Sequence, residues 1–223
     1  MSDAMAGASG IRFTRVTDGE YEFILNNERS LDFVDKMKRL LFENNAVIME
    51  PDDFTNSLKK LSEDTALFTV NMLGGTTYLR EMENDYGILP LPKLDEEQER
   101  YYATIGSWHS VFLCAPAIQE DAERTGMLFE ALAAGAYDMV TPQIYEVITK
   151  TKNVRDAESA DMVNLIIRNR VYDPFYINLC TGYNVLQNQL SAKKAEVASA
   201  VEKQIKGAEK ALEKIVEAYA EAE

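Results

Sequence analysis

The stretch GSWHSVFLCAPA, Gly106 to Ala117, decides how the fold is read. Val111-Phe112-Leu113-Cys114-Ala115 is a continuous apolar run. It ends at Pro116, which has no backbone N–H to give to a ladder. Such a run, bounded by a breaker, reads as a buried strand. At its mouth stand the chain's one tryptophan and one histidine, Trp108 and His109, side by side.

Two further runs on either side have the same character. EDTALFTVN, ending in polar Asn71, reads as a short buried strand, and so does YGILPLPK, closed by Pro90 and Pro92. Helical periodicity lies between and after them. SLDFVDKMKRLLFEN puts Phe33, Val34, Met37, Leu40 and Leu41 on one face. MLGGTTYLREMEND starts with a glycine pair and continues as a helix bearing Leu79 and Met82. QEDAERTGMLFEALAAGAYDMV has acids in its first turn, Met127, Leu128, Ala131 and Leu132 inward, and Gly135 as a stop. A helical QIYEVITKTK follows near Pro142, and then DAESADMVNLIIRNRVYD with Met162, Leu165 and Ile166 inward. Near the N-terminus, IRFTRVTDGEYEFILNN reads as two extended pieces about a turn at Asp18-Gly19. LDEEQERYYAT is charged and reads as exposed. From Tyr183 to Ala222, apolar residues from Leu186 to Tyr219 keep helical spacing among alternating Lys and Glu, as in the pair Glu202–Lys206. That is a long amphipathic helix, broken at most once, packed on the chain's own body. Strands alternating with helices give an α/β architecture.

With 223 residues the chain is long enough for one large domain or two small lobes. A net charge of −14 argues against phosphate backbones and anionic lipid as partners. Cys114 and Cys180 are far apart in sequence and read as small buried hydrophobes rather than a disulfide or zinc pair. One histidine excludes a multi-histidine metal site, and no acidic cluster has the spacing of a calcium loop. No metal or other cofactor is expected. No window of 18 apolar residues occurs, and MSDAMAGASG lacks a basic segment followed by an apolar one.

Catalysis is not expected either. In a strand, His109 and Ser110 point to opposite sides, and no G-x-S-x-G elbow is present. NMLGGTTYLREM lacks both phosphate-loop patterns. Its glycine pair leaves two readings open: free N–H groups at a helix start that hold a ligand hydroxyl or carboxylate, or a plain tight turn. Trp108 likewise fits either a core position or a cleft wall, where its indole face offers a platform for a sugar ring.

The segments DYGILPLPKLDEEQERYYATIGSWHSVFLCAPA, ERTGMLFEALAAGAYDMVTPQIYEVITKTKNVRDAESADMVNLIIRNRVYD and LFTVN, in this order of kinds along the chain, resemble the family 1 extracellular solute-binding proteins. The likeness is to the sugar ABC-transporter substrate-binding lipoproteins of clostridial and gut Firmicutes type, and it runs from about Gly10 to the C-terminus. It implies a type II periplasmic-binding-protein-like fold of two α/β lobes closing by a hinge on a solute. The expected division is 1–90 in a C-terminal-lobe-like part, 91–137 in an N-terminal-lobe-like segment, 138–182 back in the first part, and 183–223 as the terminal amphipathic helix. YGILPLP and VTPQIYEV would be crossings between lobes. Ligand-binding residues implied by position are Ser107, Trp108, His109, Asn71, Leu73, Gly74 and Tyr145, with Gly75 beside them. The implied partners are a small solute, a carbohydrate, and the permease subunits of an importer. The implied location is the cell surface, or the cytoplasm if Met1 is the true start.

This chain departs from the family's pattern in two ways. The family's lipobox cysteine and most of its N-terminal lobe precede the point at which the likeness begins, so the fold is expected to be incomplete, with one cleft wall missing. Pro174 in RVYDPFYI stands where a small or flexible residue is expected. The alternative function is an interaction or remnant protein that binds no ligand and self-associates through the incomplete lobe.

Overall fold

A computed structural model describes residues 2–25, 27–43, 45–47, 54–109, 113–149, 157–193 and 196–221. The chain divides into two units. Unit 1 comprises 1–52, 90–110 and 164–223; unit 2 comprises 53–89 and 111–163. These limits differ from the expected division. One falls between Leu89 and Pro90, inside YGILPLP, while Val140–Val147 lies within unit 2.

Unit 1 begins with helix α1, Ser2–Ala8, and a hairpin of β1, Thr14–Thr17, and β2, Glu20–Phe23. The hairpin turns where the sequence places it. Asp18 and Gly19 both take positive φ, 53° and 85°, the conformation an Asp-Gly hairpin turn needs to match strand twist. Helix α2, Glu28–Phe42, starts at Asn27, whose side chain accepts the Ser30 N–H at 3.0 Å. It buries Phe33, Val34, Met37 and Leu41, while Leu40 of the expected face is exposed.

Among its described residues the C-terminal segment forms three helices, not one. In the order α8 to α10 they are Val185–Ser191, Val197–Glu202 and Ile205–Ala220. Val185, Leu186, Leu190, Val197 and Val201 join the α2 face, Leu25 and Ile11 in the main core. The breaks let two short helices turn successive apolar faces onto α2; a single rod would present them along one line. Helix α10 contributes Ala208 and Leu212 to a second core with Phe175 and Cys180.

LDEEQERYYAT is not a free charged loop. Arg29 of α2 donates to the Ser9 carbonyl at 2.6 Å, to Asp95 at 3.0 Å and to Gln98 Oε1 at 2.8 Å. Gln98 is buried and fully used: its amide nitrogen donates to the Ala8 and Arg100 carbonyls, and its oxygen also accepts the Leu94 N–H. The loop thus leads into β3, Ala103–Thr104, which runs parallel to β4, Arg170–Val171.

After β4, Asp173 caps helix α7, Pro174–Ile177, with Pro174 at its first turn, where the missing N–H costs nothing. This is the physical reason the chain carries proline there. The Asp173 carboxylate accepts the Phe175 N–H at 3.0 Å, the Phe13 N–H at 2.8 Å, the Thr14 N–H at 3.1 Å and the Thr14 hydroxyl at 2.9 Å. Phe13 then stacks on both Phe175 and Tyr176, at centroid distances of 5.4 and 5.8 Å.

Unit 2 contains α3, Phe54–Ser62, a 3₁₀ turn at Leu73–Leu79, α4, Ala122–Gly135, a π turn at Ala136–Val140, and α5, Thr141–Thr149. Helix α6, Ala157–Arg168, begins in unit 2 and ends in unit 1. The expected strands do not form here. Residues 66–71 and 85–92 are irregular, Leu67 is 84% exposed, and Leu113 to Ala117 are irregular and exposed. Val111 and Phe112 lie outside the described residues. An apolar run becomes a strand only when a neighbour accepts its ladder bonds, and among the described residues of unit 2 none does. Among the described residues, helices and two two-stranded ladders, β1–β2 and β3–β4, stand in place of the α/β layering expected from those runs.

Three further expectations change. Cys114 is exposed; only Cys180 is buried. Met127, Leu128 and Leu132 of α4 are exposed. Gly135 does not stop the helix, because the chain passes through the π turn, with the Thr141 N–H on the Ala136 carbonyl, into α5. Pro142 has no N–H for the Asp138 carbonyl, and a widened turn just before it absorbs that loss.

Replacing Asp173 by alanine orphans the Phe13, Thr14 and Phe175 N–H groups together. Urea unfolding is expected to show a loss of about 3 kcal/mol or more, at the upper end for single substitutions.

Candidate functional site

Of the residues singled out for ligand binding, Ser107, Trp108 and His109 fall in unit 1, and Asn71, Leu73, Gly74 and Tyr145 in unit 2. The second group is held by local bonds. Asn71 Oδ1 accepts the Met72 N–H at 2.8 Å, and its amide nitrogen donates to the Ser57 hydroxyl at 3.1 Å. A Cβ on Gly75 would come within 2.9 Å of Asn71 Oδ1 and 3.2 Å of Leu58 Cδ1, so this glycine allows close packing on α3. The hydroxyls of Thr76 and Thr77 donate back to the Leu73 and Gly74 carbonyls, and the Gly75 N–H bonds the Met72 carbonyl. The segment is thus a self-bonded 3₁₀ turn in which Gly74 is exposed and Leu73 half-buried; Tyr145 is half-buried on α5. The free helix-start N–H groups considered from sequence are not what this turn presents.

Ser107–His109 forms a short 3₁₀ turn rather than a strand mouth. Trp108 is 80% exposed. Beside the turn, Gly106 lies against a tyrosine: a Cβ there would sit 3.4 Å from Tyr176 Cε1. The Ser107 hydroxyl oxygen is buried and has no hydrogen-bond partner among the described residues.

The same aromatic borders a small depression, about 20 Å³ in volume and so roomy enough for about one water, lined by α1, the start of β1, β3, β4 and α7. Its apolar wall is Ala6, Ile11, Phe13 and Val171; its polar groups are Asp3, Arg12, Thr104, Asp173 and Tyr176. Helix α1 places Asp3 and Gly7 one turn apart on one face. Gly7 is needed there: a Cβ would lie 1.4 Å from Thr104 Oγ1, so only glycine admits the threonine hydroxyl. That hydroxyl is also buried without a partner.

The charges in the depression differ in how well they are satisfied. Asp173 has its four donors, whereas among the described residues Asp3 accepts one bond, from the Tyr176 hydroxyl at 3.2 Å. Burial pushes the Asp3 carboxyl above its ordinary value, against the opposing effects of the Tyr176 bond and the terminal amine. Burial, then the charge of Asp3 and the bond to it, raises the Tyr176 hydroxyl well above its usual range. Arg12 Nη1 donates to the Gly7 and Ile11 carbonyls, at 3.1 and 2.7 Å, and its guanidinium lies 4.5 Å from the Tyr102 ring centroid. Burial lowers its pKa, opposed by Tyr102 and Asp173.

The arrangement leaves one carboxylate with unused acceptor capacity and one hydroxyl without a partner among the described residues, Thr104, around a space that a single water fills. None of Ser107, Trp108 and His109 is among the residues that line it. Asp3, Arg12, Thr104 and Tyr176 were missed because they come from distant parts of the chain and carry no motif. Among the described residues, no group of His, Cys, Asp and Glu could hold a metal ion, and no helix is long and apolar enough to cross a membrane.

The raised carboxyl of Asp3 has a consequence for stability. Its proton is bound more tightly in the folded chain than in the unfolded one. Its favourable contribution is therefore complete below the ordinary value of 3.8 and is lost as pH rises through the raised folded value. Urea unfolding of the wild type and Asp3→Asn across this window is expected to show the difference moving in favour of the wild type on acidification; a constant difference would contradict this account.

Compared with known proteins, the chain matches no family model, no curated protein and no solved structure.

Proposed function

We propose that the chain recognises a small solute, a carbohydrate, as part of the substrate-binding component of an ABC importer, and that it is not an enzyme. The observation that carries this reading is in unit 1, where polar groups with unused hydrogen-bonding capacity, Asp3 and the Thr104 hydroxyl, lie beside Phe13 and Tyr176. The chain path supports it. The polypeptide passes between two units at 52/53, 89/90, 110/111 and 163/164, the kind of repeated crossing that two-lobed, type II solute binders use to couple capture to hinge closure. With the reading come a location at the cell surface and permease subunits as partners, as the resemblance of the quoted segments implies.

A second reading, an interaction protein without ligand, draws on unit 2. There Leu67, Phe68, Met127, Leu128, Leu132, Tyr137 and Met139 are all exposed, while Leu58, Leu79 and Val163 are its buried apolar residues among those described. An apolar surface of this extent favours association with further polypeptide.

Thermal unfolding against a panel of mono- and disaccharides separates the two. A binding sugar raises the melting temperature, with stabilisation of about 2.7 kcal/mol at a hundred times its Kd. Trp108→Ala is expected to weaken binding while leaving the unliganded melting temperature nearly unchanged, since the indole is largely exposed. A flat response to every sugar, together with concentration-dependent mass in light scattering, would favour the interaction reading.

A further inference from the structure

We infer that the chain pairs with a second copy of itself, antiparallel and about a twofold axis at Ala136, through one apolar ridge of α4 and α5. The inference rests on the interaction reading, not on the solute reading, and gives it an occupant and a geometry.

Helix α4, the π turn and α5 follow one another without a break from Ala122 to Thr149. Every fourth residue from 128 to 144 is apolar: Leu128, Leu132, Ala136, Val140 and Ile144. On a regular helix each such step drifts about 40° around the axis, so the five would wind through about 160°. The π turn sets the later residues back by about 100° and holds all five within a band of roughly 60°. The result is a ridge about 24 Å long. All five residues are exposed, the four large ones at 57%, 63%, 50% and 52%. A single exposed apolar side chain is ordinary, but a continuous line of them marks a contact surface.

The ridge fits its own copy. Its order reads alike in both directions: large, large, small, large, large. Turned about a twofold axis at Ala136, Leu128 of one copy meets Ile144 of the other, Leu132 meets Val140, and the two Ala136 residues meet each other. Such self-complementarity is what an isologous contact requires. Gly135 and Ala136 keep the centre thin, so the two axes can approach to about 8 Å. The charges stand clear of the line. Glu130, Asp138 and Glu146 are each two residues from a ridge residue and Glu123 is five from Leu128, which puts all four about 140–160° away around the axis. At the start of the ridge Arg124 and Asp121 pair with each other at 3.7 Å. Two chains of net charge −14 can therefore meet here without setting acid against acid. A basic partner, by contrast, would find no acid on the ridge between Leu128 and Ile144.

Analytical ultracentrifugation of the full chain tests this. The expected result is a monomer–dimer equilibrium that stops at twice 25.1 kDa, because a twofold contact closes on itself. One helix pair lies at the low end of specific interfaces, so a Kd of about 1–100 µM is expected and the chain is followed from about 1 to about 500 µM. Added salt should tighten the pairing, since it screens the repulsion of two acidic chains. Leu132→Glu, at an exposed position, should weaken pairing about a hundredfold and leave the melting temperature of the dilute chain unchanged. Ala136→Cys in a Cys114→Ser background should give a disulfide-linked dimer on oxidation, because the twofold axis brings the two Cα atoms within bridging range. Tyr137→Cys in the same background, one residue further round the helix, should not. The cysteine variants decide the matter if Leu132→Glu does not fold. A monomer throughout the range overturns the inference and leaves the interaction reading to a polypeptide of another kind. Association that is indifferent to Leu132→Glu and gives no cross-link with Ala136→Cys, or that grows beyond the dimer, overturns this ridge as its cause while the interaction reading stands. Weakening by salt overturns the apolar basis of the contact.

Discussion

Asp173 holds unit 1 to one arrangement. Its carboxylate ends the short ladder of β4, caps α7, and fixes Phe13 and Thr14, residues from near the other end of the chain, by three bonds. A buried carboxylate is tolerated only when its lone pairs are answered, and here main-chain N–H groups answer most of them. The consequence is spatial. Phe13 is brought onto Phe175 and Tyr176, Tyr176 reaches Asp3 on α1, and the depression closes around those groups. Without that carboxylate, the hairpin and α7 would be joined only by apolar packing, which is non-directional and does not specify where a hydroxyl must point.

What could be read from the amino acids alone was what depends on near neighbours. Asp18-Gly19 specifies its turn through the φ values it can adopt, and α2 announces its buried face through the spacing of Phe33, Val34, Met37 and Leu41. The runs LFTVN and YGILPLP were misread because apolar composition records a preference for burial and says nothing of whether a partner strand exists. Gln98 was misread in the opposite sense. It sits among five charged residues in LDEEQER, yet its amide is surrounded by groups that bond it on every side. No residue that lines the depression was among those singled out from the sequence. Asp3 and Tyr176 are separated by 173 positions, and no local pattern relates them.

The two units also differ in how completely their apolar residues are buried. In unit 1, helices α2, α8 and α9 enclose a core continuous with Leu25 and Ile11. In unit 2, α3 and the Leu73–Leu79 turn bury Leu58 and Leu79, whereas α4 carries its large apolar residues in the open. Helix α4 forms all the same, with Asp121 capping it through the Arg124 N–H at 2.9 Å. Local capping and propensity are enough to define a helix's course without deciding what its side chains rest on.

The π turn at Ala136–Val140 adds a rotational consequence. One extra residue in a helical turn sets everything beyond it back by about 100° around the axis. On an uninterrupted helix Ile144 would stand about 120° from Leu132; the π turn brings the exposed Ile144 to within about 20° of the line of the exposed Leu132. Whatever lies straight along this helix therefore meets Leu132 and Ile144 on one line, which an uninterrupted helix would not offer.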